Sequence, residues 1–204
     1  MKKILLATTF LVLIGCSKQS ENQKDSENMT QSSAVSEENK AEDKATKLVN
    51  QIQSISTLKE AIQLSVGMWE DTHNKMPPAA MLIPLWAEKN KINLGMINAM
   101  PATRYGKIMK DSASERGKSL CISGMVGDIA VDRSAGFPVY SGAIVNNNGQ
   151  IVRYLAMKST GEIVDGSMGK FCGITVGKMS YDNAQGGTTH AAYLVGMFDL
   201  PENR

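Results

Sequence analysis

Few side chains in this sequence can move a proton or hold a metal near neutral pH. There are two His, at positions 73 and 190, and three Cys, at positions 16, 121 and 172. His190 stands in Gly186-Gly187-Thr188-Thr189-His190, where the glycines allow close backbone approach to a ligand, so it is a candidate for ligand contact. No carboxylate or Cys lies beside it in the local sequence, and a base at His190 would need Asp182 or Asp199 to be delivered by folding. His73 follows Trp69, Glu70 and Asp71, and is expected to close a helix, where a cation complements the negative carboxyl end. Zinc needs three or four ligands in register, which this inventory does not supply. The 13 Met suggest Cu(I), yet Met68, Met81, Met125, Met157, Met179 and Met197 fall at apolar positions and are expected to fill gaps in a core. Neither a Gly-x-Ser-x-Gly elbow nor a Gly-x-x-x-x-Gly-Lys-Ser/Thr loop occurs. The expectation is no catalytic set, no metal and no cofactor.

Composition points the same way. The 22 Lys+Arg against 20 Asp+Glu leave a net charge of +2, which disfavours a strongly basic nucleic-acid binder. The aromatic and cationic residues that could serve a stacking surface are Tyr140, Arg153, Tyr154 and Lys158. Strand alternation puts Arg153 and Tyr154 on opposite faces, so they cannot all line one groove. Tyr140 and Tyr154 remain candidates for contact with a protein or a glycan.

The elements that must position these residues divide into two kinds. Thr57 and Glu60 have capping-box spacing, and Leu58, Ile62, Val66 and Trp69 recur at helical intervals, so a helix is expected over 58–72. A second is expected over 79–91 after Pro77 and Pro78, kinked at Pro84, with Trp86 on its buried side. Residues 92–118 read mostly as loop, with one helical turn at Ser112 to Glu115. After Gly117 the period becomes that of strands: 119–132, 138–146, 150–158, 171–180 and 189–198, with turns at Asn146-Asn147-Asn148-Gly149 and at 183–187. Glycines 124, 127, 142, 173, 177 and 196 suit strand bends.

Five strands with a long first one, a hairpin and a longer connection before the fourth resemble the oligonucleotide- and oligosaccharide-binding (OB) fold. The implied fold is α+β: two N-terminal helices followed by a five-stranded antiparallel OB-like β-barrel. In OB barrels the first and fourth strands are neighbours, so the resemblance implies that Cys121 and Cys172 can form a disulfide; the alternative is two buried free thiols.

The chain begins with Lys2 and Lys3 and an apolar run from Ile4 to Ile14, about half the length needed to span a 30 Å hydrocarbon core. It ends in Leu13-Ile14-Gly15-Cys16, which resembles the lipobox of bacterial lipoproteins. That resemblance implies cleavage before Cys16, lipidation of Cys16 and, with Ser17 next, outer-membrane sorting in a host with two membranes. Residues 17–47 hold five Lys against seven Asp+Glu and no aromatic residue, the composition of a disordered tether. The expected organisation is a signal peptide over 1–15, lipidated Cys16 and tether over 16–47, a helical segment over 48–118 and the OB-like barrel over 119–204. The function expected is a non-enzymatic envelope module that is anchored to the membrane through Cys16 and binds a protein or cell-wall glycan. Alternatives are an inhibitor or immunity-type lipoprotein against a lytic enzyme or toxin, and an enzyme using His190.

Overall fold

The computed structural model describes residues 43–204, so the stretch expected to be a signal peptide, Cys16 and the expected tether up to residue 42 lie outside the described residues. Residues 43–54 are helical (α1), and the helix therefore begins inside the stretch that the composition assigned to the tether. Helix α2 (Leu58–Val66) starts where the spacing predicts: the Thr57 hydroxyl oxygen accepts from the Glu60 amide at 3.2 Å, and the hydroxyl donates to the Glu60 carboxylate at 2.8 Å.

This helix ends six residues earlier than expected. Beyond Gly67 the chain is drawn into a two-residue strand, β1 (Thr72–His73), by parallel pairing with a later strand. His73 is therefore a strand residue and not a helix cap. The second expected helix is a 3-10 turn (Pro78–Met81) continued by α3 (Leu82–Lys89). Pro84 falls in the first turn of α3, where its missing N–H costs nothing, and Trp86 is fully buried. Three short helices occupy the stretch read mostly as loop: α4 (Leu94–Asn98), α5 (Tyr105–Lys110) and α6 (Ser112–Glu115). The turn expected at Ser112 to Glu115 is α6, and Asp111 caps it.

Five long strands follow: β2 (Ser119–Asp132), β3 (Val139–Val145), β4 (Ile151–Ala156), β5 (Met168–Asp182) and β6 (Thr188–Phe198). The sheet order is β1-β5-β2-β3-β4-β6, and β5 also pairs with β6, closing a ring of five strands. The expectation of an all-antiparallel set fails at one seam, because β4 and β6 run parallel. The reason is arithmetic: direction cannot alternate all the way round an odd-membered ring.

The side chains sort into two apolar layers. One fills the enclosed face of the ring, where the rings of Tyr154, Phe171 and Phe198 meet with centroids 5.0 to 5.2 Å apart. The other lies between the outer face of β5 and β6 and the helices, joining Ile174, Val176, Val195 and Met197 to Trp69, Ile83 and Trp86. The Trp69 and Trp86 indoles donate to the Ala79 and Ile55 carbonyls, which lets both rings be buried without an orphaned N–H. Strand closure needs bare backbone: a Cβ on Gly196 would stand 2.0 Å from the Cys172 carbonyl oxygen.

Asp71 ties the segment after α2 to β5. Its carboxylate accepts from the Lys178 amide at 2.8 Å and from Ser112 Oγ at 2.7 Å, and Arg116 lies at 3.3 Å. Burial alone would raise its pKa, but the Lys178 amide, the Ser112 hydroxyl and the two cations outweigh that and hold it below 3.8. Gly177 makes room, since a Cβ there would come within 2.7 Å of Asp71 Oδ1.

Cys121 and Cys172 form a disulfide across β2 and β5, spanning 51 residues. Reduction is expected to remove about 4 kcal/mol in the chain-entropy picture, read as a fall in denaturant midpoint against the oxidised protein. The Asp71 contribution is present above its unfolded pKa and lost as pH falls through its lower folded value. Asp71→Asn should therefore cost about 1 kcal/mol at pH 7, allowing for partial exposure, and should flatten the acid limb of a stability-versus-pH curve.

Candidate functional site

The outer face of the ring carries Val139 on β3, Leu155 on β4 and Tyr193 on β6, all buried. They are buried because the chain between β1 and α3 lies over them and brings Met76 and Met81 down onto that face. The cover is incomplete. It leaves a cavity of about 290 Å³ with this apolar floor and a polar rim of Asn74, Lys75, Asp132, Ser141 and Arg153.

The wall formed by the end of β1 is latched to β5. Asn74 donates its amide to the Ser180 carbonyl at 2.8 Å, and its side chain exchanges hydrogen bonds with Asp182. His73 adds Nδ1 to Ser180 Oγ at 3.0 Å and Nε2 to Asp182 at 3.4 Å. Ser180, His73 and Asp182 thus stand in a row, yet the Ser180 hydroxyl donates to the Thr72 carbonyl, and His73 and Asp182 are exposed at the sheet edge with Ser180 half-buried beneath them. The contacts act as a fastening for β1.

Arg153 is fixed in place before any ligand arrives. Its Nη1 donates to Asp128 at 2.7 Å, and its guanidinium lies 5.9 Å from the Tyr181 ring centroid. Asp128 reaches it because β2 shifts register between Gly127 and Ala130, with Asp128 at φ 57°. Burial pushes the Tyr193 phenol well above its ordinary pKa, so it remains a neutral hydroxyl. The Ser134 amide, bonded to Asp132, holds that carboxyl below its ordinary pKa, so it stays ionised and is a poor proton donor at neutral pH. The chemistry this arrangement offers is holding: an apolar slot beside a clamped cation.

The residues singled out from sequence are scattered. His190 is exposed on β6; its carbonyl accepts from the Tyr105 hydroxyl, and among the described residues no carboxylate pairs with its ring. Asp182 goes to Asn74 and His73, and Asp199 to Lys170 and Arg204. Tyr140 is half-buried beside a second cavity, of about 370 Å³, with Phe137 and Lys158. Tyr154 points into the ring and is fully buried, so its ring cannot meet a ligand at the surface. Arg153 and Tyr154 do lie on opposite faces of β4, and the face that carries Tyr154 is the enclosed core. Met157, Met179 and Met197 fill core as expected, but Met68 after α2 is exposed and Met125 is 54% exposed, on the outer face of β2. Met76, Tyr193 and Asp128 were not foreseen. Met76 sits between two prolines' worth of loop and the sheet with no periodic signal, and Asp128 acquires its role only through the bulge.

No protein-family model and no curated protein matches the chain. One solved structure is similar in part: the mitochondrial single-stranded-DNA-binding protein Rim1 of S. cerevisiae, 12% identical, covering 42% of this chain and 95% of that one, with a TM-score of 0.28. A likeness that low carries no inference for this chain.

The Tyr154 hydroxyl is buried and has no hydrogen-bond partner among the described residues. Leaving such a group unpaired costs about 1–3 kcal/mol. Tyr154→Phe is therefore expected to keep or raise the melting temperature, measured by calorimetry; a clear fall would show that the hydroxyl does have a partner.

Proposed function

We propose that this chain is a membrane-anchored envelope lipoprotein whose folded part is a non-enzymatic binding module for a protein or cell-wall ligand. Support for the anchor is the lipobox resemblance at Leu13-Ile14-Gly15-Cys16. Support for an OB-like barrel is the strand pairing: the first strand of the ring neighbours both the second and the fourth, as that resemblance implies. The observation that carries the binding reading is the cavity under the β1 connection, where Arg153 is clamped by Asp128 above a floor of Leu155, Met179 and Tyr193. A site of this size and lining takes a compact group with an apolar part and an anionic or hydrogen-bond-accepting part. Its neutral phenol and a rim carboxylate held ionised at neutral pH suit recognition rather than proton transfer.

Two measurements test the two halves. Cys16→Ser should move the protein from the membrane fraction to the soluble fraction, and a variant that still sediments with lipid refutes the anchor. Full-length protein extracted in detergent should retain a muropeptide or envelope protein, with at least tenfold weaker retention by Arg153→Ala. Equal retention by both proteins would remove the cavity from the proposal.

A further inference from the structure

Strand β2 is paired on both sides for only part of its length. Val126 donates to the Ser167 carbonyl and Thr175 donates to the Lys118 carbonyl, each at 2.8 Å, so even-numbered residues of β2 turn their backbone groups toward β5. Ser119 donates to the Pro101 carbonyl and accepts from the Thr103 amide, also at 2.8 Å, so odd-numbered residues turn the other way. The disulfide agrees: the Cα atoms of Cys121 and Cys172 are 4.0 Å apart, the close antiparallel pair that exchanges no backbone hydrogen bonds. On the side away from β5, β3 begins to pair only at Met125, and residues 101–103 leave β2 after Ser119. The N–H and C=O groups of Cys121 and Ser123 therefore face outward without a backbone partner among the described residues.

They face a groove of about 640 Å³. Arg104 and Lys107 stand on its α5 wall, Asn146 and Gln150 on its β3–β4 wall, and no lining residue is acidic. Among the described residues neither cation is within ion-pairing distance of a carboxylate. Four open ladder groups on a strand that a disulfide prevents from peeling away form a template for strand addition, and the two cations on its wall, of which Lys107 also feels the Glu115 carboxylate at longer range, choose the sign of what is added.

We propose that this groove accepts an extended acidic segment of a partner polypeptide as an added strand on β2, paired at Cys121 and Ser123, with its carboxylates toward Arg104 and Lys107. This surface is separate from the cavity under the β1 connection and stands or falls independently of it. An added strand of about four residues, at roughly 3.4 Å each, covers the open stretch.

The test uses the full-length protein in detergent and a fluorescently labelled probe, Val-Glu-Val-Glu-Val-Glu-Val, with two controls: the same peptide N-methylated at alternate amides, and its Lys-for-Glu counterpart. In the free protein the Cys121 and Ser123 amides should exchange with deuterium at least tenfold faster than that of Ile122, and the probe should slow them. Binding should weaken at least tenfold with either control peptide. The proposal is overturned if the two amides are already protected, if the probe does not bind up to millimolar concentration, or if either control binds as well as the probe. Equal competition by a single-stranded oligothymidylate would overturn it in favour of nucleic acid. Concentration-dependent dimerisation that protects the same two amides would overturn it in favour of a second copy of the chain.

Discussion

Strand β5 must be buried on both faces, and the rest of the molecule is arranged around that requirement. Phe171 to Gly177 are all buried. Phe171 enters the enclosed face of the ring, while Cys172, Ile174 and Val176 enter the layer under the helices. A strand with two apolar faces needs a cover on each side. The other four strands supply one cover by closing the ring, and the helices supply the other. The same strand pairs with β1, β2 and β6 and bears one half of the disulfide, so pairing, cross-link and both cores converge on it.

Closure has consequences that travel outward. The Gly173–Gly196 pair lets β5 and β6 approach where any Cβ would collide with backbone, which sets the curvature of the ring. The curvature buries Tyr154 against Phe171 and Phe198 at the expense of an unpaired hydroxyl, and Gly142 is bare because a Cβ would lie 2.4 Å from that oxygen. On the outside, pairing of β1 with β5 ends α2 early and carries Met76 across the sheet, and the cavity is the space left under that connection.

Legibility followed the range of the interactions involved. Turns closed by their own side chains were readable: Asn146 accepts from the amides of Asn148 and Gln150, and Asn183 from those of Gln185 and Gly187. The Thr57 cap and the strand bounds were readable for the same reason. The extent of α2, the strand character of His73 and the place of Asp71 were not, because each depends on partners about a hundred residues away on β5. The candidate site was less legible still: Arg153 and Tyr140 were noticed as types, but the clamp on Arg153 exists only because a bulge turns Asp128 toward it.

The sequence alone determined the alternation of helix and strand periods, the turn positions and the parity that separates Tyr154 from Arg153, because these depend on neighbours within a few residues. It also bounded the chemistry, through two His and a near-neutral charge. Tertiary structure decided which parity faces inward, where the odd ring places its parallel seam, and which edge of β2 stays open. Those are properties of closure, and closure depends on contacts between strands far apart in the chain, whose energies no local pattern contains.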